Sequence, residues 1–170
     1  MSYTVFRFRR VNIRNDRELL LEFHCCINYE SETPEMRRLS YKEYRRKWLS
    51  TSQTKTFLSD LEKTMKDSRT IAEILEDDDF TAGYLWVTFT DLKDYNITIA
   101  GIMDILVSPN YQRKGIATMM LRHVEELSKE RGAILLRSET GIENVASQKL
   151  HEGFGFKPYR ICYEKSLCAR

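Results

Sequence analysis

The stretch from Ile97 to Gly132 leaves little freedom in how it can fold. Ile97–Val107, ITIAGIMDILV, is a long apolar run rich in β-branched residues, as a well-covered strand requires. Pro109 ends it, because proline has no N–H to give to a ladder. After Gly115 the apolar period changes. Ala117, Met120, Val124 and Leu127 recur at helical spacing, and Arg131 with Gly132 forms a C-terminal stop. A strand that needs cover, followed at once by a helix with one apolar face, predicts helix packed on sheet.

The flanking segments extend this frame. Tyr3–Val11 alternates, with Phe6 and Phe8 on one face and Arg7 and Arg9 on the other, which is strand period. Asp16 is placed to cap a helix through Leu19, Leu20 and Phe23 towards Tyr29, broken by Ser31–Pro34. A second helix starts near Ser40 and carries Tyr41, Tyr44, Trp48 and Leu49. The polar stretch Ser50–Thr56 interrupts it before Leu58, Leu61 and Met65. Thr70–Leu75, Thr81–Thr90 and Ile97–Val107 read as an antiparallel meander, its turns at Asp77–Asp79 and Asp94–Asn96. Ala133–Arg137 is a short strand, Asn144 caps a short helix ending near Gly153, and a last strand is expected around Tyr159–Leu167. The order β, α, α, β, β, β, α, β, α, β predicts a single α/β domain over residues 1–170, a mixed sheet with helices on both faces.

Composition excludes several functions. Charged residues make up 31% of the chain, yet the net charge is only +2. A nucleic-acid binder built on Arg7, Arg9, Arg10 and Arg14, or on Arg45–Lys47, would usually show a stronger basic bias, so no nucleic-acid partner is expected. Cys25, Cys26, Cys162 and Cys168 have no CxxC spacing and no histidine at a zinc offset, so no metal is expected. The opening MSYTVFRFRR lacks the apolar core of a secretory leader, and no apolar run approaches the ~20 residues that span a bilayer. The expectation is a cytoplasmic protein with free thiols and no membrane partner.

Ile105–Ala117, ILVSPNYQRKGIA, is where chemistry is expected. A strand ends, a tight loop follows, and a helix begins at a glycine. The first amides of a helix have no internal partners and point along the positive end of its dipole, so such a junction can hold a phosphate. Gly115 leaves room for close backbone approach, Ala117 keeps the first turn clear, and Arg113 and Lys114 add positive charge. An ordinary strand–turn–helix with a glycine would look the same on these features alone.

The wording is more specific. Gln112-Arg113-Lys114-Gly115-Ile116-Ala117 matches Q/R-x-x-G-x-G/A, preceded by Val107-Ser108-Pro109-Asn110-Tyr111 as V-x-P-x-Y. Asn144–Phe156 keeps Asn144, Leu150, Gly155 and Phe156 of N-x-x-A-x-x-L-Y-x-x-x-G-F. In both patterns, and in element order, the chain resembles the GNAT superfamily of N-acetyltransferases. The likeness is specific from about Ile97 to Tyr163.

That resemblance implies a largely antiparallel sheet with splayed central strands, and acetyl-CoA as co-substrate. The pantetheine arm would pair with the main chain of Ile105, Leu106 and Val107. The pyrophosphate would lie on the amides of Arg113, Lys114, Gly115, Ile116 and Ala117, in the motif opened by Gln112. Asn144 would contact the cofactor arm, cap its helix, or do both. The implied reaction is direct attack of a primary amine, on a small molecule or a peptide, on the thioester. The attacking ammonium has a pKa near ~10.4, so a base is needed, and the leaving thiolate gains from a proton donor.

His151 stands where the family often has tyrosine, and histidine can give or take a proton near neutrality. Its alternative is a helix residue without a role. Asp104, inside IMDILV, is a candidate base; its alternative is a carboxylate facing a polar cleft or paired with a neighbour. Glu139 is a second candidate with the same alternative. His24 reads as part of an apolar helix face, Tyr41, Tyr44 and Trp48 as packing, and Asp77–Asp79 as a solvated turn. A non-catalytic acyl-CoA-binding sensor or regulatory module is the alternative function. A homodimer is an expectation from the resemblance alone.

Overall fold

The computed structural model describes residues 5–78 and 80–167. Met1–Thr4, Asp79 and Cys168–Arg170 lie outside the described residues, and with them the start of the predicted first strand, the end of the acidic turn and the fourth cysteine. The elements run β1 (Phe6–Arg10), α1 (Arg17–Ser31), α2 (Tyr41–Leu49), α3 (Gln53–Thr64), β2 (Ile71–Asp77), β3 (Phe80–Leu92), β4 (Ile97–Val107), α4 (Ile116–Glu130), β5 (Ala133–Arg137) and α5 (Val145–Phe154).

The strands lie in one sheet in chain order. Those from β1 to β4 pair antiparallel, and β5, returning after α4, pairs parallel with β4. Helices α1, α2 and α3 cover one face, around Leu20, Leu61, Ile74, Tyr84 and Trp86. Helices α4 and α5 cover the other, around Leu75, Leu85, Val87, Met120 and Val124. Both faces of the central strands are thus buried, which is why Ile97–Val107 reads as continuously apolar.

Local chemistry sets the boundaries. Ser40 and Glu43 form a reciprocal capping box at the start of α2. The interruption after it is shorter than expected, because only Ser50–Ser52 separates α2 from α3. Thr54, Phe57, Leu58 and Leu61 form the buried stripe of α3, and the polar residues between them face solvent. Asp16 does precede α1, but its carboxylate does not cap the helix. It accepts instead from Arg9 Nη1 at 2.8 Å and Nη2 at 2.9 Å, and from the Asn12 amide at 2.7 Å. Arg7 and Arg9 both pair with Glu76, and Arg45 pairs with Glu22, so three of the residues in the candidate basic patches are drawn into ion pairs within the chain.

The expected last strand is not formed. Residues 157–167 carry no regular structure, and Tyr159, Ile161, Tyr163 and Leu167 are exposed. The alternation is present in the sequence, but a strand exists only as a partner in a ladder, and among the described residues no edge pairs with this segment.

Two details fix the centre of the sheet. The β3–β4 register steps from Trp86↔Asp104 to Val87↔Ile102, so Met103 is an extra residue on β4, a β-bulge. Before it, Ala100 and Ile102 face α4; after it, Ile105 and Val107 do, while Leu106 joins the α1 side. Asp104 follows Leu106 to that side. On β3, Gly83 pairs with Val107, and a Cβ there would lie 2.8 Å from the Leu106 carbonyl oxygen and 2.8 Å from Met120 Sδ. The missing side chain lets α4 settle against the end of β4.

Candidate active site

Strand β4 pairs with the short β5 only along its first half. The ladder runs from Thr98↔Ala133 to Gly101↔Arg137 and stops, while β4 continues to Val107. From Ile102 onward its edge on the β5 side has no strand beside it. The main-chain groups of Ile105, Leu106 and Val107 therefore border a gap that an extended molecule could enter as an added strand.

The far end of this gap is the junction into α4. Gln112 Nε2 donates to the Val107 carbonyl at 3.1 Å, tying the loop back to the strand it follows. Arg113 and Gly115 both adopt positive φ, 61° and 79°. Arginine tolerates that conformation poorly and glycine well. The pair of left-handed residues turns the chain sharply into the helix. The first amide to find an acceptor in the opening turn is that of Met119, to the Gly115 oxygen at 3.0 Å. The N–H groups of Ile116, Ala117 and Thr118 are left without one, as at any helix start. The side chains of Gln112, Arg113 and Lys114 are exposed around them. Tyr111 donates to Asp77 at 3.0 Å and lies under the Lys114 ammonium, so Asp77 anchors the loop rather than standing free in a solvated turn.

At the middle of the gap the bulge turns Asp104 towards α1, where its Oδ2 meets His24 Nδ1 at 2.8 Å. The Asp104 side chain is 1% exposed and that of His24 is 18% exposed. Phe57 stacks on the imidazole with centroids 3.8 Å apart, and Trp48 flanks it at 5.9 Å. Of the two readings open for Asp104, the structure supplies the paired one. It also moves His24 from an anonymous apolar face to a hydrogen-bonded pair, and gives Trp48 a place beside it. Behind the carboxylate, the buried Tyr84 hydroxyl has no hydrogen-bond partner. Burial, reinforced by the Asp104 charge, pushes its pKa well above the ordinary phenol value.

The other candidates are spread around the gap. His151 is held at both nitrogens, Nδ1 at 2.7 Å from the Ser147 carbonyl and Nε2 at 2.8 Å from Ser138 Oγ. A carbonyl only accepts, so Nδ1 carries a proton. Asn144 caps α5, its Oδ1 accepting from the Ser147 amide at 3.1 Å. Glu139 follows β5 as expected, but its side chain is 83% exposed and its nearest cation is Arg160 at 4.0 Å. A carboxylate so solvated is not held towards the gap. The segment after β5 also closes on α1: a Cβ on Gly141 would lie 2.6 Å from the Glu30 carbonyl oxygen.

Sequence reasoning missed His24, Ser138, Tyr84 and the bulge at Met103. A mid-strand aspartate and a mid-helix histidine each suggest a polar partner when buried, but nothing in the sequence matches one to the other. Among the described residues no group of three or more His, Cys, Asp and Glu side chains could hold a metal ion, and no helix is long and apolar enough to cross a membrane. Cys25, Cys26 and Cys162 are free thiols.

This geometry can be set beside known proteins. An aminoglycoside N(6')-acetyltransferase of Acinetobacter genomosp. 13 is 35% identical over 68 residues, 39% of this chain and 47% of that protein. A ribosomal-protein alanine N-acetyltransferase of Salmonella typhimurium is 35% identical over 62 residues, 36% of this chain and 42% of that protein. The chain thus spans about half the length of these curated relatives. An aminoglycoside N-acetyltransferase solved in complex with CoA shares the fold, with a TM-score of 0.65, 16% identity and 98% of each chain covered. The sequence profile of the acetyltransferase (GNAT) family matches residues 33–156, which include β4, the junction into α4 and α5. The chain belongs to the GNAT acetyltransferase family.

Proposed function

We propose that the protein is an acetyl-CoA-dependent N-acetyltransferase that transfers the acetyl group to a primary amine of a small molecule or peptide by direct attack. The observation that carries this reading is the open edge of β4 running from Ile102 to Val107 into the free amides of α4. The main chain of Ile105–Val107 suits the amide-bearing pantetheine arm. The amides from Arg113 to Ala117, with the Arg113 and Lys114 charges beside them and Gln112 bracing the loop, suit the pyrophosphate. Asn144 spends Oδ1 on its helix and keeps Nδ2 for the cofactor arm. The two curated relatives are named for acetylating nitrogen on acceptors of very different size, which supports the amine and leaves its carrier open.

In the reaction, the ammonium first loses a proton. The amine nitrogen then bonds to the thioester carbonyl carbon, and negative charge gathers on the carbonyl oxygen. A main-chain N–H of the open strand is suited to stabilise it. The nitrogen, made cationic by the new bond, gives its second proton to water, and collapse breaks the C–S bond to leave a neutral amide and a thiolate. His151 and Ser138 are suited to protonate it. With the ring protonated, Nε2–H donates to Ser138 Oγ and frees the serine proton for sulfur. Passage of both protons leaves a neutral histidine and a thiol.

The test is acetyl-CoA binding by calorimetry together with thiol release over a panel of aminoglycosides, polyamines, amino acids and peptides. Binding with turnover on an amine is the expected result. Binding without turnover on any acceptor favours a sensor or regulatory module, and absence of binding removes both readings.

A further inference from the structure

We infer that His24 is the base that takes the proton from the acceptor amine, and that Asp104 positions it; this rests on the acetyl-transfer reading above. The aspartate in the strand would be the simpler choice, but its side chain is 1% exposed and engaged, so it has no path to an incoming amine. The histidine has one. A carboxylate only accepts hydrogen bonds, so the 2.8 Å contact puts the proton of a neutral ring on Nδ1 and leaves the lone pair on Nε2. Among the described residues Nε2 has no hydrogen-bond partner, while the side chain keeps 18% of its surface exposed. The face-on contact with Phe57 and the flank of Trp48 hold the ring in place.

Position agrees with chemistry. Helix α1 lies against β4, and Asp104 immediately precedes Ile105–Val107 on the open edge. Asp104 faces the ring from β4, Tyr84 from β3 lies beside that carboxylate, and α2 and α3 place the neutral rings of Trp48 and Phe57 against the imidazole. The titratable Cys25, Tyr41 and Tyr44 belong to the same packed cluster. When Nε2 takes a proton from R–NH3+, the products are R–NH2 and an imidazolium whose charge the adjacent carboxylate balances. The free amine nitrogen then attacks. A base buried in this way excludes competing water and needs a buried counter-charge, and the bulge at Met103 supplies one by turning Asp104 to the α1 side.

The experiment compares wild-type protein, His24→Gln and Asp104→Asn, first for acetyl-CoA affinity by calorimetry and then for kcat and KM across pH. His24→Gln should bind acetyl-CoA within about twofold of wild type. Its kcat/KM for the amine should fall by about 10²–10⁴-fold near neutrality. The deficit should narrow as pH rises towards the amine's own pKa near ~10, where the base is no longer needed. Asp104→Asn keeps the ring and its stacking, and so serves if His24→Gln does not fold. It should lower kcat well beyond any change in KM, because an amide can hold the ring with the wrong nitrogen protonated. Wild-type turnover with an unimpaired His24→Gln, or a deficit that does not change with pH, would overturn the assignment. Acetyl-CoA binding without wild-type turnover removes the parent reading and this one with it.

Discussion

Replacing Gly83 by alanine tests whether the closeness of α4 to β4 is built on a missing side chain. The new Cβ would sit 2.8 Å from the Leu106 carbonyl oxygen and 2.8 Å from Met120 Sδ. Methionine is flexible and can swing aside. The carbonyl is backbone, on the strand that borders the gap, and can move only with β4. Overpacking of this kind costs about 1–3 kcal/mol. At ~2.1 cal/mol/K per residue, a chain of this length loses about 3 °C of Tm per kcal/mol, so the expected drop is about 3–9 °C. Acetyl-CoA affinity should fall with it, since both the strand edge and the helix start are displaced. Gly153→Ala is the matched control. Gly153 lies in α5 with no heavy atom within 4 Å of its would-be Cβ, so alanine there should stabilise by about 0.5–1 kcal/mol. Differential scanning calorimetry reads both. A Gly83→Ala protein that melts with wild type and binds acetyl-CoA unchanged would refute the argument.

Two further outcomes are expected. His151→Ala should lower turnover far more than it raises KM for acetyl-CoA; steady-state kinetics at saturating amine decides this, and unchanged turnover removes His151 and Ser138 from the proton path. Arg9→Met should destabilise the fold at neutral pH by about 1–3 kcal/mol, because it strips the buried Asp16 carboxylate of two hydrogen bonds. Burial alone would raise the Asp16 pKa, but the bonds from Arg9 and from the Asn12 amide outweigh it and hold it below the usual carboxylate range. A depressed folded value contributes stability above the unfolded value near ~3.9 and loses it as pH falls through the folded one. Urea midpoints from neutral pH down through that range should therefore show an acid loss in wild type that shrinks in Arg9→Met. An identical acid limb in both proteins would contradict the assignment.

The parts of this fold that were legible in the sequence are those governed by neighbours along the chain. Ile97–Val107 and Ala133–Arg137 match their strands end to end, and α4 stops where Arg131 and Gly132 say it should. The junction from Gln112 to Ala117 was legible for the same reason, because a loop-to-helix turn is local. What escaped depends on partners far away. The polar side chains of Ser50–Thr56 hid the start of α3, whose buried stripe begins at Thr54. The alternation of Tyr159–Leu167 was real, but alternation cannot supply a partner edge. His24 and Asp104 lie 80 residues apart. Asp104 meets its partner only because one additional residue in β4 reverses which side chains face which way, and no composition or periodicity marks Met103 as that residue.

The same bulge bears on which changes in β4 this protein can survive. Exchanging one apolar residue for another along Ile97–Val107 alters packing by a methyl group or two and leaves every side chain on its own face. Pairing Met103 into the ladder is a change of another kind. The strand would regain regular pairing with β3, but Met103 would stand opposite Trp86 and Asp104 opposite Leu85, in the apolar layer under α4, and His24 would be left without its carboxylate. Deleting Met103 does no such thing, because Ile102 and Asp104 become neighbours and keep their opposite faces. For this strand the register after Ile102 is under tighter constraint than the identity of its apolar residues.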